Sequence, residues 1–331
     1  MAAAGAEDTP RCREAVAVVA AAGARGRTIM QIFVIIRSAL VLGMFAVSPA
    51  AWAQTVFISP EAAATALVDA AKAPGSGKLD AIFGGEATAL LSSGDAEADA
   101  RNLMDFVNLA AQGQSVVDGD DDRKVLLFGD GGWRFPVPLK AAGAGWAFDI
   151  AAGRQHVRDM TIGENELVAI GACADFVAAQ NEYFQSLHDD QPVQQFARKL
   201  VSTPGRHDGL YWEPASASDR SPLGDRIIAA AVATSDDPVA PRSYHGYRFK
   251  ILTRQGAAAP GGAYDYLVGG RMLAGFAMLA WPADWGETGV MTFFCDQRGT
   301  VYERNLGATT KEVASALRTF NPTPSWQKVA P

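Results

Sequence analysis

Glu164-Asn165-Glu166-Leu167-Val168-Ala169-Ile170-Gly171-Ala172-Cys173-Ala174-Asp175-Phe176-Val177-Ala178-Ala179-Gln180-Asn181-Glu182-Tyr183-Phe184 is the stretch whose reading decides the fold. Leu167, Ile170, Ala174, Val177 and Phe184 recur at helical spacing, so a long helix is predicted from about Glu164 to Leu187. The runs that follow are of another kind. Tyr247–Thr253, Phe276–Trp281, Val290–Cys295 and Thr300–Arg304 are short and rich in β-branched and aromatic residues, the signature of strands. A long helix followed by a set of strands predicts a helix packed on an antiparallel sheet over residues 161–331.

Smaller signals complete this lobe. Gln194–Leu200 reads as a short helix, and Ser202–Pro241 is rich in Pro, Gly, Ser and Asp, with one apolar helical patch at Ile227–Val232. Thr309-x-x-Glu312 is a capping box opening a last helix with Val313, Leu317 and Phe320 on one face. Trp281, Trp285 and Trp326 read as core.

Upstream, residues 54–160 predict a small α+β lobe. Ser59-Pro60-Glu61 opens a helix with an N-cap Ser, Pro at N1 and an acid in the first turn. A helical turn around Leu79–Phe83 follows, then a helix capped by Asp95 with Leu103, Phe106, Val107 and Ala110 on one face. Gln114–Val117, Lys124–Phe128, Trp133–Leu139 and Gly145–Ile150 form a meander, with Pro136 and Pro138 marking an edge or a bulge. Three helices and a meander resemble, in element order, the cone-shaped fold of nuclear transport factor 2-like domains. The whole is α+β, with 331 residues enough for two domains.

The segment from Met30 reads as an export address. Arg37 gives positive charge, Ser38–Val47 is mainly apolar, and Ala51-Trp52-Ala53 ends the run as a small-residue cleavage site. Residues 1–53 are therefore expected to be an N-terminal extension and cleavable signal peptide, and the protein to be periplasmic or secreted. The full chain carries a net charge of −7, and removal of residues 1–53 makes it −9. That balance, without a basic stripe, excludes nucleic acid and disfavours anionic membranes, and no stable membrane insertion is expected after signal removal. Cleavage removes Cys12 and leaves Cys173 and Cys295, which an oxidising compartment would permit to bridge. Cys173 lies beside the apolar stripe rather than at its centre, so two buried free thiols are expected.

Chemistry-bearing patterns are few. Asp118, Asp120 and Asp122 have the alternate spacing of a calcium loop, but Arg123 and Gly129 occupy positions that need Gly and an acid, so a solvated hairpin turn is expected. The four His show no zinc spacing, and no metal or cofactor is predicted. The densest polar–aromatic set is His207, Asp208, Tyr211 and Trp212, joined by Tyr244 and His245. Aromatic faces with polar tips suit ligand binding, and these six residues are the binding-site candidates, expected to line a shared groove. No residue is assigned a catalytic role. The competing use of the same groups is packing of the aromatics back onto the sheet.

Ordered motifs across the second lobe then name a family. They are Ser202-Thr203-Pro204-Gly205, Asp208-Gly209-Leu210-Tyr211-Trp212, Ser221-Pro222-Leu223-Gly224, Tyr244-His245-Gly246-Tyr247 and Ala259-Pro260-Gly261-Gly262-Ala263-Tyr264-Asp265-Tyr266. With Trp133-x-Phe135-Pro136-x-Pro138-Leu139, Trp146-x-Phe148-Asp149 and Ile162-Gly163-x-Asn165-Glu166-Leu167, the chain resembles the exported bacterial family called domain of unknown function 2950. The resemblance implies export and a shared fold. His188-Asp189-Asp190-Gln191-Pro192 lacks the glycines found in many members after the long helix. The helix-then-meander order of the second lobe also resembles the globular part of type IV pilins. The expectation is an exported binding or envelope-assembly protein whose partner is a protein or a small-molecule ligand. The alternatives are a secreted hydrolase using His207, Asp208 and His245, and a pilin-associated structural subunit.

Overall fold

A computed structural model describes residues 54–330, except 87–89, 93–95, 190, 217 and 225–242. The segment expected to be a signal peptide, Cys12, the expected Asp95 cap and the Ile227–Val232 patch lie outside the described residues. The described chain is α+β, and its contacts divide it into a unit ending at Thr161 and a unit beginning at Ile162.

In the first unit, Ser59 Oγ accepts the Ala62 N–H at 3.2 Å and starts α1, Pro60–Ala71, with Pro at its first turn. Helices α2 (Lys78–Phe83) and α3 (Ala96–Ala110) follow. The sheet runs β1 (Gln114–Asp118), β2 (Lys124–Phe128), β4 (Leu139–Ala142), β5 (Gly145–Phe148), with the short β3 (Trp133–Arg134) also on β2. The predicted single strand Trp133–Leu139 is split here. Pro136 and Pro138 supply no N–H to a ladder, and the chain leaves β2 after Phe135, whose N–H still bonds the Leu126 carbonyl at 2.8 Å, and rejoins it at Leu139. The Asp run is the β1–β2 turn, where Asp121 and Asp122 take φ of +54° and +58° and the Arg123 N–H closes the turn on the Asp120 carbonyl at 3.1 Å. Phe83, Phe106, Phe128, Phe135 and Phe148 form the core against the buried faces of α1 and α3.

The long helix α4 spans Ile150–Phe184 and begins fourteen residues before the predicted start. Asp149 is the reason. Its carbonyl accepts the Gly153 N–H at 2.8 Å and its carboxylate takes the Ala152 N–H at 3.4 Å while pairing with Arg123 at 3.0 Å and Lys140 at 3.3 Å. Beyond Ile150-Ala151-Ala152 the helix runs through Gly153 and the mostly polar residues 154–159, which carry no apolar stripe.

The second unit holds a five-stranded antiparallel sheet. Its order is β14 (Gln327–Lys328), β13 (Val301–Asn305), β12 (Met291–Asp296), β11 (Ala277–Pro282), β6 (Tyr247–Leu252). Two small ribbons stand apart, β7 (Arg254–Gln255) with β8 (Tyr264–Asp265), and β9 (Leu267–Val268) with β10 (Arg271–Met272). Helix α5 (Thr310–Ala316) precedes the final segment, in which Phe320 and Trp326 pack on Phe294. Thr309 stands at the N-cap of α5 but makes no side-chain cap bond, so the predicted capping box is not formed. Gln194–Leu200 is not a helix. The Gln180 amide bonds both the N–H and the C=O of Ala197, at 2.8 and 2.9 Å, and holds that segment extended.

The buried stripe of α4 is Ala169, Ala172, Cys173, Phe176, Ala179, Gln180 and Tyr183, rotated by about one residue from the predicted one, and Ala174 is exposed. Small residues let the helix lie close to the sheet, and the larger Leu167, Ile170 and Val177 flank the contact. This rotation puts Cys173 at the centre. Cys173 and Cys295 are joined by a disulfide with a Cα separation of 5.7 Å, which overturns the expectation of free thiols. Trp281 and Trp326 are core, whereas Trp285 is 39% exposed and donates to Asn305 at 3.0 Å, so it is a surface residue.

The bridge closes a loop of 122 residues. A Cys173→Ala/Cys295→Ala variant is therefore expected to lose about 2–5 kcal/mol of unfolding free energy, measured by urea denaturation. A loss near zero would show that the bond constrains nothing.

Candidate functional site

The His207–Trp212 segment is a loop held at both ends by backbone bonds. Ser202 donates its N–H to Tyr211 C=O at 2.7 Å, Leu210 to Lys199 C=O at 3.1 Å, and Leu223 to Leu210 C=O at 3.1 Å. Gly209 is required by the closeness of the two strands of this loop, because a Cβ there would lie 2.7 Å from Ser202 N. The Asp-Gly-Leu-Tyr-Trp and Ser-Thr-Pro-Gly motifs are thus two sides of one clasp.

Within it, Trp212 is buried and the rings stack outward. His207 lies 4.4 Å from Trp212, His188 5.8 Å from Trp212, and His188 is stacked on Tyr183 at 3.8 Å. Trp212 Nε1–H donates to Asp219 at 2.8 Å, and the same carboxylate lies 3.5 Å from His207 Nε2. Tyr183 OH donates to the His207 carbonyl at 2.8 Å and accepts from Gln191 at 3.0 Å. Asp189 accepts the His207 backbone N–H at 3.1 Å and the Arg206 guanidinium at 3.4 Å. Tyr183 and Asp219 carry no site signal in the sequence, and His188 and Asp189 enter it only in the stretch after the long helix that lacks the glycines of many family members.

Asp208 points elsewhere. One oxygen accepts the Thr203 N–H at 2.7 Å, and the other accepts Lys199 at 2.7 Å and the Thr203 hydroxyl at 2.9 Å. Burial pushes this carboxyl up, but the bonds from Lys199 and Thr203 outweigh it and bring it down from 3.8 to about 2. The carboxylate facing His207 is Asp219.

Tyr211 is buried in the second unit's core and its hydroxyl donates to Glu213 at 3.2 Å. Tyr244 and His245 belong to a tight turn. Tyr244 and Tyr247 exchange both backbone bonds, at 2.8 and 2.9 Å, across His245 at φ +44° and Gly246 at φ +68°. Gly246 has no room for a Cβ, which would come 2.6 Å from Thr288 Cβ. Thr288 bonds the Gly246 carbonyl at 2.8 Å and Asn165 of α4 bonds the Thr288 carbonyl at 2.9 Å. The Tyr-His-Gly-Tyr motif is thus a hairpin turn anchored on α4. The His245 ring packs 4.5 Å from Tyr244, and burial holds its imidazole below the ordinary value. Burial, then the charge of Asp175, raises the Tyr244 hydroxyl. The structure brings His207 and Trp212 together on Asp219, and Tyr244 and His245 together in the turn. A separate cavity of about 310 Å³ lies in the first unit, lined by Leu79, Asp80, Leu91, Asp99, Asn102 and Leu103, none of them a sequence candidate.

Residues 54–329 match the family described as Protein of unknown function (DUF2950), and the chain belongs to that family. No curated protein and no solved structure matches the chain. No helix among the described residues is long and apolar enough to cross a membrane.

Asp208 gives a pH prediction. A carboxyl depressed in the folded state contributes stability above its unfolded value of 3.8, and this is lost as pH falls toward about 2. With the partner Lys199 half exposed, solvent screening reduces the contribution to roughly 1 kcal/mol. Urea unfolding across that window should show the loss in the parent and a flatter profile in Asp208→Asn; identical profiles would remove Asp208 from the clasp's energetics.

Proposed function

We propose that the protein is exported, periplasmic or secreted, and acts by binding a protein or small-molecule ligand rather than by catalysis. Export is supported by the Cys173–Cys295 bond, since such bonds persist in oxidising compartments. Binding is supported by one observation above the others: the polar groups of the clasp are engaged with one another. Asp208 is occupied by Lys199 and Thr203, and Asp219 holds Trp212 Nε1 and faces His207. A general base needs a free position toward a substrate proton. A contact surface needs fixed rings with an exposed edge, and the His207 side chain is 41% exposed over the buried Trp212.

Two outcomes are expected. N-terminal sequencing of the protein recovered from the envelope or medium begins at Gln54, and retention of residues 30–53 would contradict cleavage. Hydrolysis of a simple activated ester by the parent is no faster than by His207→Ala and His245→Ala variants. Turnover that disappears in either variant would favour the hydrolase reading.

A further inference from the structure

The sheet of the second unit has two faces. Cys295, Phe293, Met278 and Ala280 share the face toward the disulfide partner on α4. The opposite face is covered around Phe294 by Phe320 and Trp326. Further along that face, side chains from four adjacent strands fall in one row. Arg248 on β6 is paired with Trp281 on β11, and Thr292 on β12 with Arg304 on β13. Trp281 and Thr292 stand opposite each other one step beyond the Ala280–Phe293 pair. Directly opposed residues in an antiparallel pair lie on the same face, so the row is Arg248, Trp281, Thr292, Arg304.

This row is rich in donors and holds no anionic group; its one possible acceptor, the Thr292 hydroxyl, is itself unpartnered among the described residues. Trp281 is 7% exposed and Thr292 fully buried, yet Trp281 Nε1, Thr292 Oγ1 and Arg248 Nε have no hydrogen-bond partner among the described residues. Buried polar groups are almost always bonded, and an orphaned indole N–H is costly. Neither Arg248 nor Arg304 is in an ion pair among the described residues. Lys250 stands beside the row but is engaged, donating to the Ser315 carbonyl at 3.0 Å and to the Ala314 carbonyl, with its ammonium 5.5 Å from the Trp281 ring centre. It positions the indole and leaves the N–H unanswered. Two unpaired guanidinium groups on a protein of net charge −7 mark a local cationic strip.

We propose that this row binds an oxyanion, the phosphate or carboxylate group of a ligand, with the Trp281 indole N–H and the Thr292 hydroxyl as donors and Arg248 and Arg304 as counter-charges. Trp281 Nε1 and Thr292 Oγ1 are closed to solvent and Arg248 is half-exposed, so binding on this proposal requires a side-chain movement that opens the row, with Arg248 turning to pair with the anion. Charge-assisted bonds to guanidinium are the strong class of hydrogen bond, and an oxyanion has enough lone pairs to satisfy all four residues at once. The site stands independently of the His207–Trp212 clasp.

The test follows the Trp281 indole N–H signal in nitrogen–proton correlation spectra of the full chain, assigned with Trp281→Phe. Sodium phosphate, acetate and chloride are added in parallel at matched ionic strength. The expected result is a saturable shift of that signal with phosphate or acetate and none with chloride, while the remaining indole signals stay in place. A response to phosphate alone identifies a phosphoryl ligand; a response to both identifies oxyanions including carboxylates. Arg248→Gln and Arg304→Gln should each weaken the response by about tenfold. Arg304 is exposed, so its variant reads the site even where Arg248→Gln does not fold. No shift with either oxyanion, an equal shift with chloride, or unchanged titrations in the variants would overturn the proposal. So would a crystal grown in phosphate showing only an ordered water on Trp281 Nε1.

Discussion

The bond between Cys173 and Cys295 is the constraint on which the second unit depends. It ties the middle of α4 to β12, the central strand of the sheet, and fixes which face of the helix is inward. Two further anchors agree with it. Glu166 is buried and accepts the N–H groups of Val290 and Met291 at 2.9 Å each, holding the start of β12, and Asn165 holds Thr288 just before it. Burial pushes the Glu166 carboxyl upward against the pull of those two N–H bonds. A helix fastened at residues 165, 166 and 173 has one register on the sheet. The turn at His245–Gly246 and the clasp at Ser202–Trp212 are then built around it.

The same constraint shapes two surfaces of the second unit. On the α4 side, the end of the helix delivers Tyr183, His188 and Asp189 to the clasp, where they orient His207. On the far side of the sheet, the strand pairing lines up Arg248, Trp281, Thr292 and Arg304 without an anionic group among them. The two surfaces differ in kind. The clasp is satisfied within itself and presents rings, whereas the strand row has unmet donors and positive charge.

Much of the architecture was legible in the sequence. The β6, β11, β12 and β13 runs lie within a residue or two of the predicted strands, and Ser59-Pro60 marked the start of α1 because cap and proline act locally. The failures share a cause. The beginning of α4 depends on Asp149 meeting Arg123 and Lys140, and the rotation of its buried face depends on how closely Ala172 and Cys173 approach the sheet. Both are tertiary, and apolar periodicity favoured the larger side chains. The disulfide was misjudged for the same reason, since the stripe was centred one residue away. Of the site candidates, His207 and Trp212 meet on a carboxylate outside the candidate set, that of Asp219. Asp219 lies several residues on and carried no pattern.

The central claim is that the Cys173–Cys295 bond holds α4 on the sheet as one cooperative unit. Amide hydrogen exchange with and without reductant tests it most directly. Reduction should lower protection together in β11, β12 and residues 165–184 of α4, while the β1–β5 sheet keeps its own. Protection in β12 and α4 that is unchanged by reduction, or lost in only one of them, would contradict the account.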